Sequence, residues 1–240
     1  MLSDFKIFEG GLNELNNGKQ LINTINAHSY NLTKDDALFK LSLLKSDVLL
    51  PDGIAVVWAV KFLLGSIIKK IAGADLFFYE MERLQNQNGK CFFLGSTEDV
   101  LSKIKSRASI EYPSIEIASY SPPYKVHFSE VDTLNMLEKV NDFEPDVLFI
   151  GMTAPKQEKW AHQNFDRLHV KSHICSVGAV FDFYAGSIER APNWMISIGL
   201  EWLYRLLKEP KRMWRRYLIG NTVFMIQIIK EKLFKNNQLS

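Results

Sequence analysis

The sequence predicts an α/β fold: a Rossmann-like, doubly wound and mainly parallel β-sheet, followed by a C-terminal basic amphipathic helical appendage. Two patterns in the 240 residues lead to this prediction. Between about residues 20 and 180, short apolar runs alternate with helical patterns, which is typical of parallel strands buried on both faces. After Ile188 that rhythm stops, and cations alternate with Trp and Tyr. We therefore predict an α/β body over residues 1–188 and a helical appendage over residues 189–240.

The predicted strands are continuously apolar, and several of them end in glycine. They cover residues 21–25, 48–50, 90–95, 115–120, 146–151 and 173–178. Helical patterns lie between them, near residues 33–45, 54–64, 74–88, 97–108, 129–142 and 155–168. A βαβα order of this kind favours a doubly wound sheet, whose ligands bind at the carboxyl ends of the strands. Polar residues directly after each run are therefore the candidates for a site.

The bulk composition is that of an ordinary globular protein, with 47% hydrophobic and 23% charged residues. Cys91 and Cys175 lie in apolar runs, so we expect both to be buried thiols in a reducing cytosol rather than a disulfide or metal framework. The N-terminus lacks the basic start and apolar stretch of a signal peptide. Residues 217–229 form an interrupted apolar run that is shorter than the ~20 residues needed to span a bilayer.

Charge is distributed unevenly along the chain. Residues 201–235 contain nine Lys/Arg and three Glu, a net charge of +6, although the whole chain carries only +2. This asymmetry indicates an anionic partner, and the interleaved apolar residues favour a lipid surface over a nucleic acid. Arg205, Lys208, Arg212 and Arg215 share one helical face. The plainer alternative is a surface helix with solvated cations, packed on the body.

Five strand ends carry residues that are suited to binding or catalysis. Asp52 stands where the chain turns after the second strand, although Pro-Asp-Gly is also a common turn. Gln157 and Lys156 open a helix whose amides can meet phosphate. The remaining candidates after strands are Thr24 and Asn26 and, as predicted nucleotide contacts, Gly95, Ser96, Gly151, Gly178 and Asp182.

Several familiar chemistries have no motif in this chain. The sequence has no G-x-G-x-x-G after the first strand, no Walker P-loop, no H-E-x-x-H and no G-x-S-x-G. The five histidines are scattered without metal-ligand spacing, and no D-x-D pair is present. We therefore expect no metal and no cofactor, with phosphate chemistry resting on Arg, Lys and backbone amides.

Nine stretches of the chain, in the same order, resemble the WecG/TagA/CpsF family of bacterial glycosyltransferases over about residues 20–224. They are TIN at 24–26, LLPDGIAVV at 49–57, IAGADL at 71–76, FFLGS at 92–96, PDVLFIG at 145–151, APKQEKW at 154–160, VGAVFDFYAG at 177–186, RAPNWM at 190–195 and GLEWLYRLLKEPKRMWRRYL at 199–218. Two stretches depart from the family pattern. Ile25 stands where many members carry Pro, and Gly151-Met-Thr-Ala-Pro replaces the usual Gly-x-Gly-x-Pro.

The resemblance implies inverting, metal-independent transfer of a sugar from a UDP-sugar to a polyprenyl-diphosphate-linked saccharide. The place of action would be the inner face of the bacterial cytoplasmic membrane, which the enzyme approaches from the cytoplasm as a peripheral protein. N-acetylmannosaminyl transfer is the family's best-known activity, and glucosyl, galactosyl and glucuronosyl transfer stay open. A homo-oligomer off the membrane also stays open, as does a non-catalytic membrane-docking module that binds a nucleotide sugar.

The resemblance also assigns roles to the candidate residues. Asp52 falls on the proposed general base, and Thr24, Asn26 and Gln157 fall on residues that orient substrate. Arg205, Arg212 and Arg215 fall on the arginines expected to hold the diphosphate once the appendage docks on a membrane. Arg190 and Lys156 are lesser candidates for the same role.

Overall fold

A six-stranded parallel β-sheet forms the centre of the protein, as the sequence predicts. The computed structural model describes residues 1–239, apart from the side chains of Asn193, Asn236, Gln238 and Leu239. The strands are β1 (Gln20–Ile25), β2 (Val48–Pro51), β3 (Lys90–Gly95), β4 (Glu116–Tyr120), β5 (Val147–Gly151) and β6 (His173–Ser176). Their order across the sheet is β2-β1-β6-β5-β3-β4. Each of the six apolar runs thus contains one strand.

Helices cover both faces of the sheet. They are α1 (Ala27–Leu32), α2 (Ala37–Leu44), α3 (Ile54–Leu64), α4 (Gly73–Gln87), α5 (Glu98–Glu111), α6 (Glu130–Phe143), α7 (Lys156–Asn164), α8 (Val180–Tyr184), α9 (Asn193–Ser197), α10 (Glu201–Lys208), α11 (Pro210–Trp214) and α12 (Gly220–Leu239). A π-helical turn, Arg215–Ile219, joins α11 to α12. The helix predicted near residues 33–45 is present as the shorter α2, which Asp36 caps, whereas the sequence did not predict α1, which Asn26 caps.

Alternating side chains of the strands divide the core into two layers. Phe92 and Leu148 pack with α6 and α7, whereas Phe93 and Phe149 pack with α4, α5 and α8. Both cysteines are buried and free, in agreement with the sequence. Because the strands are enclosed on both faces, only their ends open onto solvent and can form a site.

A third apolar cluster lies beyond the β2 edge of the sheet and includes the C-terminal helix. Phe224 and Ile228 of α12 are buried there with residues of α1 and α3. The Phe224 ring packs edge-on against Tyr30, with 5.2 Å between the ring centroids. The Glu231 carboxylate accepts hydrogen bonds from the backbone amides of Leu2 (2.6 Å) and Ser3 (2.9 Å). The last helix therefore shares a core with the α/β body.

The helices differ in how apolar they are, which matters for any contact with lipid. Within residues 1–239, none combines the length and hydropathy required to cross a bilayer.

Candidate active site

Asp52 and Asn26 lie side by side at the carboxyl ends of β2 and β1. The parallel register pairs Ile25 with Pro51, so the next residue of each strand emerges at the same point. The Asn26 amide Nδ2 donates to Asp52 Oδ2 over 3.3 Å. Its Oδ1 accepts from the amides of His28 (3.1 Å) and Ser29 (3.0 Å) and so caps α1. Because the helix cap fixes the orientation of the Asn26 amide, its NH₂ group is directed at Asp52.

Gly53 makes the turn that places Asp52 at the start of α3. Its φ of 97° is in the region that favours glycine, and it is the N-cap of α3. A Cβ atom there would stand 3.8 Å from the Asn26 Cβ, which is ordinary contact. The backbone angle, and not crowding, therefore requires glycine in the Pro-Asp-Gly turn.

The surroundings of Asp52 make its carboxyl a stronger base than an exposed aspartate. Burial raises the pKa of Asp52, and the negative charge of Glu201 raises it further. The Asn26 hydrogen bond and the positive charges of Lys70 and Arg216 act in the opposite direction. A carboxylate with a raised pKa is suited to accept a proton near neutral pH.

Thr24 occupies a different position from the two residues above, because it lies within β1. It pairs with Leu50 of β2 and is half-buried. The two-residue period of a strand places Thr24 on the same face of the chain as Asn26. Thr24 therefore belongs to the same strand end as the Asn26–Asp52 pair.

Gln157 fills a buried position between the loops that follow β5 and β6. Its Oε1 accepts from the Met152 amide (3.1 Å), and its Nε2 donates to Glu158 Oε1 (2.9 Å). A Cβ atom on Gly178 would lie 3.6 Å from Gln157 Nε2. Burial raises the pKa of Glu158 to about 7, and its Oε2 has no hydrogen-bond partner. Gln157 thus contacts both the loop after β5 and the loop after β6.

Close packing explains the glycines at the other strand ends. A Cβ atom on Gly151 would lie 2.2 Å from the Phe181 ring, and one on Gly95 would lie 2.6 Å from the Gly151 carbonyl oxygen. Ser96 has a φ of 57°, and its carbonyl accepts from the Ser121 hydroxyl (2.8 Å). These predicted nucleotide contacts therefore lie along the same sheet edge, and packing alone accounts for Gly95 and Gly151.

A cleft of about 540 Å³ separates α1 and the β5–α7 loop from the C-terminal helices. His28, Asn31, Thr153, Arg212, Arg215 and Arg216 contribute its polar lining. Burial lowers the pKa of His28 to about 4, with a further contribution from the positive charge of Arg216. His28 is therefore neutral at physiological pH and can donate or accept a hydrogen bond.

Arg216 lies beside Asp52 and forms a cationic cluster with Arg205 and Arg212. Burial lowers the pKa of Arg216; the charges of Arg205 and Arg212 also lower it, while that of Asp52 raises it. The Nε atoms of Arg205 and Arg216 are buried without a hydrogen-bond partner. Arg212, in contrast, donates to Glu209 Oε2 (2.8 Å). Guanidiniums with unused donors, such as those of Arg205 and Arg216, are suited to hold an anion with several oxygens, for example a diphosphate.

Asp182 of α8 lies near the same cluster. Burial raises its pKa, while the charges of Arg212 and Arg205 lower it. Among the predicted nucleotide contacts, Asp182 is thus the one that borders the arginines.

The other predicted cations have different surroundings. Arg215 is exposed at the cleft and lies 5.3 Å from the Trp214 ring. Arg190 pairs with Glu201, with 3.2 Å between Nε and Oε1. Lys156 donates to the Lys125 carbonyl (2.8 Å), in the loop that follows the opposite edge strand, β4. The structure therefore brings Arg205 and Arg212 to Arg216, which neighbours Asp52, but it does not bring Lys156 there.

Sequence reasoning missed Arg216 and treated His28 as an ordinary histidine. A spacing of four residues places Arg216 on the same helical face as Arg212, which is the signal that could have found it. The sequence signal for His28 is its place near the end of the first strand, which sets it apart from the other four histidines, but its position in the cleft depends on how the C-terminal helices fold over α1. Within the described residues, no three His, Cys, Asp or Glu side chains are grouped so as to hold a metal ion.

The fold places a carboxyl group and guanidinium groups at one edge of a parallel α/β sheet, an arrangement suited to an enzyme that transfers groups from phosphorylated donors. Residues 8–238 match the model of the glycosyl transferase WecG/TagA/CpsF family. The chain belongs to this family and is a glycosyltransferase. This excludes the non-catalytic module that the sequence left open.

Enzymes of three bacterial species are similar to this chain. An N-acetylglucosaminyldiphosphoundecaprenol N-acetyl-beta-D-mannosaminyltransferase of Bacillus subtilis is 34% identical over 214 residues, covering 88% of this chain and 80% of the relative. The enzyme of the same name from Bacillus spizizenii is 34% identical, covering 75% and 67%. That of Staphylococcus aureus is 28% identical, covering 78% and 71%.

Proposed function

We propose that this glycosyltransferase moves a sugar from a UDP-sugar to a polyprenyl-diphosphate-linked saccharide, with inversion and without a metal ion. The observation that carries the proposal is the Asp52 carboxyl, held by Asn26 next to the arginine cluster. N-acetylmannosamine is the sugar we favour, because it is the one named in the relatives. Glucosyl, galactosyl and glucuronosyl donors are the alternatives within the family. The product would serve the synthesis of a cell-surface polysaccharide or a teichoic-acid-type polymer.

Asp52 acts as the general base in this mechanism. The acceptor hydroxyl attacks the anomeric carbon from the side opposite UDP, and its proton passes to the Asp52 carboxylate. As the new glycosidic bond forms, the bond to the β-phosphate oxygen breaks and its electron pair leaves with UDP. One displacement of this kind inverts the configuration at the anomeric carbon.

Arginines stabilise the charge that develops on the departing diphosphate. Arg205, Arg212 and Arg216 offer fixed positive charge where a metal ion would otherwise act. Asn26 and Thr24 orient the reacting groups near the base, and the neutral His28 offers a hydrogen bond from the cleft. Gln157 contributes by holding the loops after β5 and β6 in place.

We also propose that residues 189–240 associate with the inner face of the cytoplasmic membrane, where a polyprenyl acceptor resides. Trp194, Trp214 and Leu218 are exposed in this segment, between lysines and arginines. Aromatic rings mixed with cations are typical of helices that lie in the membrane interface. Because Phe224 and Ile228 belong to the core, this role is tested with surface substitutions and not by deleting the segment.

The proposed reaction is tested by measuring UDP release. The full-length enzyme is given a panel of UDP-sugars, a short-chain polyprenyl-diphosphate saccharide and EDTA. We expect acceptor-dependent UDP release with one donor, and NMR of the product shows the anomeric configuration. Release that requires a divalent ion, or a product with retained configuration, would contradict the mechanism.

A further inference from the structure

Helix α3 of the α/β body is apolar on both its inner and its outer face. Val56, Ala59, Val60 and Leu63 are buried in the core. On the outer side, the Trp58 side chain is 60% exposed and that of Phe62 is 50% exposed. A helix that is hydrophobic all round is normally covered on every side. The outer face of α3 is therefore expected to be covered by another surface, such as a second protein or a membrane.

The exposed side of α3 continues onto α12. The Lys232 ammonium lies 5.7 Å from the centroid of the Phe62 ring, so the two helices adjoin there. Met225 and Ile229 are exposed and share a flank of α12 with Lys232, because these positions are spaced by four and three residues. We call Trp58, Phe62, Met225 and Ile229 the α3–α12 face.

Charge decides between two occupants, a second copy of the chain and a membrane. Residues 54–72 contain three lysines and no acidic residue, and residues 210–239 contain seven Lys/Arg and one acid, Glu231. Glu231 is buried and bound to backbone amides, so it does not offset the surface cations. A two-fold contact between copies would bring these cations together, which is unfavourable. An anionic bilayer attracts them and accepts the Trp and Phe rings at its interface.

We infer that the α3–α12 face lies on the surface of an anionic bilayer, so that the α/β body itself docks through α3 in addition to the C-terminal segment. This inference rests on the proposed action on a lipid-linked acceptor. It also gives α3 a role in catalysis, because the helix begins directly after Asp52 and Gly53. Trp58 stands only four residues beyond Ile54, about 6 Å along the helix axis. Docking would therefore hold the base close to the level of the lipid headgroups.

The test measures binding of the full-length protein to vesicles of phosphatidylglycerol and phosphatidylcholine by flotation. The Trp58→Gln/Phe62→Gln double variant is compared with the wild type. We expect the vesicle affinity of the variant to fall about tenfold or more, because two interfacial rings are lost. Turnover of a water-soluble, short-chain acceptor should stay at the wild-type level, since neither ring contributes to the cleft. Turnover of a full-length acceptor in vesicles should fall together with binding.

The matched control is Ile110→Gln/Val131→Gln, which changes two exposed residues on α5 and α6 (80% and 65% exposed). This variant should bind vesicles as well as the wild type. Equal vesicle binding by the Trp58/Phe62 variant and the wild type would overturn the inference. A second result would also overturn the inference: the wild type forms a dimer in analytical ultracentrifugation, and the Trp58/Phe62 variant loses this dimer but still binds vesicles. If the wild type binds vesicles through this face but transfers no sugar, the docking surface is supported and the proposed reaction is overturned. Failure of the docking inference can therefore be distinguished from failure of the proposed reaction.

Discussion

Two pairs of an amide and a carboxyl side chain lie at the same edge of the sheet, and they differ in their surroundings. Asn26 and Asp52 follow β1 and β2, are partly accessible, and have Arg216, Lys70 and Glu201 as charged neighbours. Gln157 and Glu158 follow β5 and are both buried. Gln157 accepts a hydrogen bond from the loop amide of Met152 and donates one to Glu158. The same two functional groups thus occur once at a partly accessible strand end with charged neighbours and once in the interior.

This difference indicates which pair can take part in a reaction. A base must reach the substrate and exchange a proton with it, which the access and charged neighbours of Asp52 permit. The Glu158 carboxyl is enclosed, and its raised pKa favours the neutral form below about 7. We therefore assign chemistry to the first pair and loop positioning to the second, and four predictions test this division.

The largest effect is expected from Asp52→Asn, which removes the proposed base but keeps an acceptor for Asn26. We expect kcat to fall about 10²- to 10⁴-fold, the usual contribution of a general base. Steady-state UDP release measures this, and circular dichroism checks that the fold is retained. The matched change in the buried pair, Glu158→Gln, should leave kcat within about threefold of the wild type. Equal losses in the two variants would remove the distinction between the pairs.

The second prediction concerns stability and pH. Because the pKa of Glu158 is raised from 4.5 to about 7 in the folded protein, the native state holds a proton that the unfolded state releases between these values. The free energy of unfolding should therefore fall as pH rises from about 4.5 to 7, by about 3 kcal/mol from this group. Urea unfolding of the wild type and of Glu158→Gln at several pH values measures it. If both proteins show the same slope, Glu158 does not titrate in this way.

Two adjacent arginines give the third prediction. Arg216→Ala should lower kcat/KM about 10- to 100-fold, because a partly buried guanidinium with an unused Nε donor is lost from the cluster. Arg215→Ala should cost less than about fivefold, since its guanidinium is exposed over Trp214. Kinetics with a short-chain acceptor compare the two. A larger loss for Arg215 would show that the exposed arginine holds the diphosphate.

The smallest effect is expected in the pH profile of kcat/KM. Activity should fall at acidic pH as Asp52 takes up a proton, and removing the positive charge of Arg216 should move this acid limb to higher pH. Glu201→Gln removes a negative charge and should move the limb to lower pH. Shifts of the same sign in the two variants would mean that Asp52 does not control the limb.

Most of the sheet could be predicted because its signals are local. A continuously apolar run of a few residues indicates a parallel strand, and each of the six runs contains one, although only three of the runs end in Gly. Helix α1 was not predicted, since it is only six residues long and its start depends on the Asn26 cap. The roles of α12 also escaped prediction, because its cations suggested a surface element while Phe224 and Ile228 are in the core.

The candidate site was predictable where it follows directly from strand ends. Asp52 and Asn26 come together because β1 and β2 are adjacent and parallel, so both strands end at the same edge. Residues that reach the site from other elements were predicted less well. Lys156 opens its helix as expected, yet its ammonium donates to the carbonyl of Lys125. Gln157 is at the expected strand end, but its amide is turned inward.

The sequence by itself determined the strands, the place of Asp52 and Asn26 at strand ends and the excess of cations near the C-terminus, because hydrophobic periodicity and strand ends are properties of neighbouring residues. The strand order, which brings Asp52 beside Asn26, was decided by the tertiary structure. Only the tertiary structure decided that Arg216 borders Asp52, that His28 lines the cleft, and that Gln157 and Glu158 are enclosed. Each of these depends on contacts between residues far apart in the chain. Burial and the charges of such distant neighbours set the pKa and the accessibility of each group. A local sequence pattern does not contain this information.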